Sequence, residues 1–414
     1  MPDIDTSALR GRVASETLQS QVALFDKCRD YTAAREVQAA GLYPYFRTIS
    51  ESEDTVVTID GKKRIMLGSN NYLGLTHHPR VLEAAASALR RYGAGCTGSR
   101  LLNGTLDLHE QLEAKLAEFI GKEACLVFST GYGANLGMIS GLLGRGETVY
   151  LDKLDHACIV DGAKLSHGET QRFPHNNLNK LVQLLERNTS GKGTLIVVDG
   201  VYSMEGDIAD IPELVKIAKR FGAALAVDDA HSLGVLGPNG DGTGPHFGLQ
   251  AEVDIVAGTF SKSLASVGGF VAADESVIHY LKHWSRPFIF TASLPPANTA
   301  GVIAALDVLQ KEPERRAMLW NNAKRLQDGF RDLGFDIGPT STPIVPVLIG
   351  PLEKTFLFWR KLFDEGVFTN PVCPPAVPPA QCRLRTSVMA THTADQIDRS
   401  LDAFRRIGKE LGVI

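Results

Sequence analysis

The sequence predicts an α/β protein: a mostly parallel central sheet with helices on both faces, followed by a smaller C-terminal α+β domain. Three observations lead there. Between residues 107 and 273, short apolar runs of strand length alternate with stretches of helical period. Several of these runs end in an aspartate or in a cluster of glycine, serine and threonine, as strand-to-helix turns do. After Pro295-Pro296 the texture changes to long helices and a few shorter strands. Strands separated by helices are joined by crossovers, so they pair in parallel and are buried on both faces. In such sheets ligands sit beyond the carboxyl ends of the strands.

The totals narrow the function. At 414 residues the chain exceeds most single cores and divides into an N-terminal helix and hairpin segment (1–60), a large α/β domain (61–295) and a small C-terminal domain (296–414). Hydrophobic content of 44% and charge of 22% fit a soluble globular protein. A net charge of -4 gives no basis for nucleic-acid binding. The six cysteines, Cys28, Cys96, Cys125, Cys158, Cys373 and Cys382, form no CxxC pair, which predicts reduced thiols and a cytoplasmic protein. The first twenty residues lack the apolar core of a signal peptide. No apolar run approaches the roughly 20 residues that span a bilayer.

In chain order, residues 16–40 read as a helix closed by Gly41. A hairpin follows, 55–59 with 62–67, around the turn Asp60-Gly61, a pair that accepts the positive φ such turns require. Gly68-Ser69-Asn70-Asn71-Tyr72-Leu73-Gly74-Leu75 is a loop whose small residues allow a ligand close to the backbone. A helix over 79–91 leads to a second such loop, Gly93 to Arg100, whose arginine can face a carboxylate or phosphate. Then come helix 107–120, strand 124–128 and a helix opening at Gly131. Strand 148–151, helix 177–187, strand 194–199, helix 212–221 and strands 224–228, 253–258 and 269–273 follow. The C-terminal domain reads as helices 297–310 and 313–333, strand 344–349, helix 353–365, strand 382–388 and helix 394–411. Pro371, Pro374, Pro375, Pro378 and Pro379 make a stiff loop within it.

The chemistry-bearing residues cluster at strand ends. Lys262, in Thr259-Phe260-Ser261-Lys262, stands just past a strand among hydroxyl groups, placed to form an imine with an aldehyde, while Ser261 and Thr259 can hold a phosphate. Asp228, in Asp228-Asp229-Ala230-His231-Ser232, ends a buried strand, and a protonated pyridine nitrogen would partner it. His231, three residues on, can reach a ring hydroxyl. His156 follows another strand and can stack on a planar ring, and Ser203 follows a third. Ser129-Thr130-Gly131-Tyr132-Gly133 joins a strand to a helix start, where free N–H groups make an anion site. Singly, each has an ordinary explanation: a polar turn, a cap, a structural histidine, a connector. A metal site built from His156, His167, His175 or His231 lacks helix-face spacing such as HExxH and is set aside. Together the residues provide an imine, an electron sink, a ring stack and a phosphate anchor, which is what pyridoxal phosphate (PLP) requires.

Across roughly 40–410 the chain resembles the α-oxoamine synthases, a branch of the fold-type I PLP enzymes. The motifs that carry the resemblance are Asn70-Asn71-Tyr72-Leu73-Gly74-Leu75, Gly98-Ser99-Arg100, Ser129-Thr130-Gly131-Tyr132, Asp155-His156-Ala157, Asp228-Asp229-Ala230-His231-Ser232 with Gly234, and Thr259-Phe260-Ser261-Lys262. The resemblance implies that Lys262 binds the cofactor and moves the Cα proton. It implies that His156 stacks on the ring, that Asp228 pairs with the ring nitrogen, and that His231 and Ser203 lie near the ring oxygen. Gly131, Tyr132, Thr259 and Ser261 become phosphate or cofactor contacts. Arg385 matches the arginine that meets the amino-acid carboxylate, with Asn71, Ser99 and Arg100 on the substrate side. It implies a homodimer with active sites at the interface, where Thr291 reaches the partner's phosphate.

Such enzymes join an amino acid to an acyl thioester with loss of carbon dioxide. The segment from Thr369 to Pro378 and the run Leu384-Arg385-Thr386-Ser387 most resemble the bacterial branch that uses L-serine and a palmitoyl thioester, on coenzyme A or acyl carrier protein, to make 3-ketodihydrosphingosine. One departure is that some bacterial members carry an extra arginine in the proline loop, which Val377 and its neighbours lack. The alternatives are glycine with acetyl-CoA, alanine with a pimeloyl thioester, and a non-catalytic regulatory subunit, which should lack Lys262. A simple aminotransferase fits the Asp228 run and the Arg100 loop less well. The implied location is cytoplasmic, with peripheral contact at the inner membrane face.

Overall fold

The structure, a computed structural model, describes residues 22–189 and 191–414, in two compact units that meet in sequence between Tyr45 and Phe46. The helix expected over 16–40 begins outside the described residues. From Val22 onward it is a 3-10 turn at Ala23–Phe25 and two short helices, Asp26–Arg29 and Ala33–Ala39. None of the three buries a residue, so no packed face sustains one long helix here.

The second unit opens with β1 (Ile49–Glu53), β2 (Val56–Ile59) and β3 (Lys62–Met66), an antiparallel meander. The β2–β3 turn has φ of 51° at Asp60 and 69° at Gly61, as a two-residue turn that matches strand twist demands. β1 escapes sequence reading because all five of its residues are exposed, leaving no apolar alternation.

The central sheet holds β4 (Ala124–Phe128), β5 (Thr148–Asp152), β6 (Glu169–Phe173), β7 (Thr194–Asp199), β8 (Ala224–Asp228), β9 (Ile255–Thr259) and β10 (Gly269–Ala273). Their order is β4-β10-β9-β8-β7-β5-β6. β5 to β9 pair in parallel, whereas β10 runs antiparallel to both neighbours. Alternate residues serve opposite faces. Ile196, Val198, Leu225 and Val227 join one apolar cluster; Leu195, Val197, Ala226 and Ile255 join the other. Burial on both faces explains why these strands read as continuous apolar runs.

The carboxyl ends of the parallel strands therefore line up. Asp199 pairs in register with Asp228, and Asp228 with Ala257 two residues before Thr259. Behind this row the helix Gly131–Leu142 packs unusually close. A Cβ on Gly131 would lie 2.6 Å from the Thr259 side chain, and one on Gly269 would lie 2.5 Å from Gly131 Cα. Only glycine lets the helix start sit against β9 and β10.

The C-terminal part carries β11 (Ile344–Gly350), β12 (Val367–Phe368), β13 (Asn370–Val372) and β14 (Cys382–Ser387), with helices Pro296–Lys311, Glu314–Leu333, Leu352–Asp364 and Ala394–Glu410. β12 joins β3 in parallel and completes the first sheet. Pro371, expected in a loop, lies within β13. That strand is the edge of the sheet β11-β14-β13, where a residue without an N–H is tolerated. The last helix starts where Thr393 and Gln396 cap each other's backbone N–H groups, at 3.2 and 3.0 Å.

Candidate active site

A cavity of about 300 Å³ opens at the carboxyl ends of β7, β8 and β9. Of the residues singled out in the sequence, Gly131, Tyr132, His156, Ser203, Asp228, His231, Thr259, Ser261 and Lys262 line it together. They come from five separate stretches of chain, brought together because each ends or follows a strand of the same sheet.

One end of the cavity is an anion cradle. The Thr130 hydroxyl caps the helix by accepting the Gly133 N–H at 2.9 Å, leaving earlier N–H groups of that helix without an intrahelical partner. Thr259 Oγ1 and Ser261 Oγ lie 2.9 Å apart beside it. The opposite wall is ionisable. Asp228 is buried; its Oδ1 accepts the Ala230 N–H at 2.9 Å and its Oδ2 accepts Asn135 Nδ2–H at 2.7 Å. Loss of solvent lowers the Lys262 ammonium below its usual value, with Asp228 and Asp199 pulling the other way. Burial likewise lowers the His156 imidazole. His231 is lowered further, by burial first and then by the charges of Lys262 and Arg385.

Arg385 is tied to the cavity from behind. Its Nε donates to the Ser203 carbonyl at 2.6 Å, and its Nη2 donates to Asn70 Oδ1 at 2.9 Å and to the Tyr72 hydroxyl at 3.4 Å. Tyr72 in turn lies 2.7 Å from His231 Nδ1. Arg383, two residues before Arg385 and so on the same side of β14, binds Glu205 at 3.1 Å and the Met204 carbonyl at 3.3 Å.

Besides Arg385, four candidates lie apart from this cavity's lining. Asn71 is buried and accepts the Leu75 N–H, while its amide donates to Thr76 and Asp54. Arg100 makes a two-pronged ion pair with Glu113, at 2.7 and 3.0 Å, and its side chain is only 4% exposed. Ser99 bridges to Ala292, next to the exposed Thr291. The structure adds Asn70, Tyr72, Asn135 and Cys158. Asn135 carries a readable signal, an amide between Ala134 and Leu136 in a mostly apolar helix. Asn70 directly precedes Asn71, the asparagine that the resemblance places on the substrate side.

Known proteins resolve the kind of site this is. The family described as "Aminotransferase class I and II" matches residues 62–404. A serine palmitoyltransferase of Sphingobacterium spiritivorum is 50% identical over 391 residues, spanning 94% of this chain and 98% of that one. The chain belongs to the α-oxoamine synthase branch of this family. An 8-amino-7-oxononanoate synthase of Geobacter sulfurreducens is 44% identical over 92% of this chain and 98% of its own. Among solved structures, a serine palmitoyltransferase of Sphingomonas wittichii is similar with a TM-score of 0.91 at 40% identity, covering 95% of this chain and 99% of that one. A serine palmitoyltransferase with PLP as internal aldimine gives 0.92 at 40% identity, covering 95% and 100%.

The α-oxoamine synthase fold here is that of a PLP-dependent acyltransferase. The residues present fit the cofactor. The cavity pairs an N–H and hydroxyl cradle, suited to a phosphate, with a buried carboxylate suited to a pyridinium and an amine suited to an aldehyde. A Cβ at Gly131 would fill the cradle's back wall.

Proposed function

We propose that this α-oxoamine synthase condenses L-serine with a palmitoyl thioester, on coenzyme A or acyl carrier protein, to give 3-ketodihydrosphingosine and carbon dioxide. One observation carries the reading: Lys262, Asp228, His156 and the Gly131 helix start converge on one cavity, in a chain 50% identical to a serine palmitoyltransferase. Bound PLP supplies a cationic conjugated ring that takes up the electron pair left at the amino-acid Cα.

The chain's residues do the rest. Gly131, Tyr132, Thr259 and Ser261 hold the phosphate. Asp228 favours a proton on the ring nitrogen, because an adjacent carboxylate stabilises a cation. His231 and Ser203 would serve the ring oxygen, and His156 would pack against the ring, since all three line the same cavity. Lys262 anchors the cofactor and then takes the Cα proton; its lowered ammonium pKa increases the share of free amine that can do so. Arg385, held by Ser203 and Asn70, pairs with the serine carboxylate. The Cα then bonds to the thioester carbonyl carbon as the C–S bond breaks and the thiolate leaves. The carboxylate departs as carbon dioxide, and the proton held by Lys262 returns to Cα.

The same reading makes the protein a homodimer in which Thr291 serves the partner's phosphate. Asn71, Ser99 and Arg100 shape the loops around the substrate. It places the enzyme in the cytoplasm, in contact with the inner membrane face where acyl chains and product partition. Among the described residues no helix is long and apolar enough to cross a membrane.

The test is twofold. Borohydride should fix PLP covalently to Lys262 in the wild type and leave Lys262→Ala unlabelled; an adduct persisting in that variant refutes the lysine assignment. Titration of the cofactor absorbance with serine, glycine and alanine should favour serine, whereas preference for alanine supports a pimeloyl-type reaction.

A further inference from the structure

His156 is both a wall of the cavity and the N-cap of a helix. It caps Ala157–Leu165, with Nδ1 accepting the backbone N–H of Cys158 at 3.3 Å. A backbone N–H can only donate, so Nδ1 must carry a lone pair and the imidazole proton must sit on Nε2. A cationic ring at that position would also face the positive end of the helix.

The Cys158 side chain reinforces the assignment. Its Sγ lies 2.9 Å from the same Nδ1, and Asn135 Nδ2 lies 3.3 Å from the sulfur. That same amide nitrogen lies 2.7 Å from Asp228 Oδ2. Asn135 turns its NH2 group, not its oxygen, toward the carboxylate, so its two hydrogens serve Asp228 and Cys158. The sulfur therefore accepts from Asn135 and donates its own proton to His156. Burial pushes the thiol far up, which keeps that proton on sulfur. Both side chains are fixed: Asn135 and Cys158 are each 2% exposed. The bonds run in one direction, from Asn135 to Asp228 on one side and through Cys158 to His156 on the other.

We infer that Asn135 and Cys158 are positioning residues that hold His156 as a neutral imidazole with its proton on Nε2, so that the cavity meets an N–H donor there and not a base. These bonds couple the two groups proposed to flank the cofactor ring, Asp228 and His156, through one buried amide and one buried thiol. His156 can then donate to an anionic oxygen of the substrate but cannot remove the Cα proton, which leaves that step to Lys262. The inference rests on the reading that this cavity is the active site, but its central measurement does not.

Nitrogen-15 NMR of histidine-labelled holoenzyme, assigned by loss of signal in His156→Gln, reads the tautomer directly. Near pH 7 we expect an unprotonated Nδ1 and a protonated Nε2; the opposite tautomer or an imidazolium overturns the inference. Infrared difference spectra between wild type and Cys158→Ser isolate one S–H stretch. It should lie at the lowered frequency of a hydrogen-bonded thiol and rise in His156→Gln; a free-thiol frequency overturns the role of Cys158. In turnover, Cys158→Ala should lower kcat about five- to tenfold, as for one lost hydrogen bond. Cys158→Ser, which keeps a donor, should recover most of that. A Ser variant as impaired as the Ala variant contradicts the donor role. Failure of serine turnover in the wild type, with the nitrogen signals as expected, would count against the proposed reaction alone.

Discussion

Replacing His175 by glutamine should make the protein less stable in a way that disappears at high pH. His175 bridges two carboxylates, Asp152 Oδ1 at 3.1 Å through Nδ1 and Asp207 Oδ2 at 3.0 Å through Nε2. Burial alone would lower the imidazole, but the hydrogen bonds and charges of Asp152 and Asp207 carry it up to about 10. A pKa raised on folding contributes stability that is full below the unfolded value near 6.5. That contribution fades as pH rises and is gone above about 10. At roughly 1.4 kcal/mol per pH unit the ceiling is about 5 kcal/mol. The side chain is 23% exposed, so solvent screening reduces the expected value to about 2–3 kcal/mol. Glutamine keeps one hydrogen bond but no charge. Denaturant unfolding of PLP-saturated wild type and His175→Gln, at one protein concentration, should show that gap at pH 6.5 and near coincidence at pH 10. An equal gap at both values refutes the charged clamp. The consequence reaches the site, because Asp207 closes the turn through its carbonyl to the Tyr202 N–H, and Ser203 in that turn holds Arg385.

Three further substitutions separate roles. Asp228→Asn should retain cofactor but lose on the order of 10²-fold in kcat, since an amide cannot stabilise the ring cation; unaltered kcat would remove Asp228 from the mechanism. Arg385→Lys should raise KM for serine about 10- to 100-fold, the worth of a charge-assisted hydrogen bond, with little change in KM for the thioester. Arg100→Ala should destabilise the fold by about 3–5 kcal/mol by stranding Glu113, which also accepts the Val127 N–H. If Arg100 bound substrate, KM for serine would rise instead with stability kept.

The central sheet is legible in the sequence because its strands are buried on both faces and end in acids or small hydroxyl residues. The site follows from it, since one topology carries all the strand ends to one edge. What escapes reading lacks such contrast. β6, Glu169-Thr170-Gln171-Arg172-Phe173, is an edge strand with a polar exposed sequence. The Ala157–Leu165 helix is short, and its buried side carries one large apolar residue, Ile159, beside Cys158, Gly162 and Ala163. A loop arginine such as Arg100 suggests an anionic partner, and the sequence does not say which; Glu113, one helix away, is brought to it only by the fold. Asn135 and Tyr72 act through neighbours distant in sequence, 93 residues from Asp228 and 159 from His231.

The most direct measurement follows the carboxyl carbon. L-serine labelled at that carbon, supplied to the PLP-loaded enzyme with palmitoyl thioester, should release labelled carbon dioxide in step with free thiol and 3-ketodihydrosphingosine. Release should require the thioester and vanish in Lys262→Ala. If serine gives no labelled gas while alanine with a pimeloyl thioester or glycine with acetyl-CoA does, the serine and long-chain assignment is contradicted.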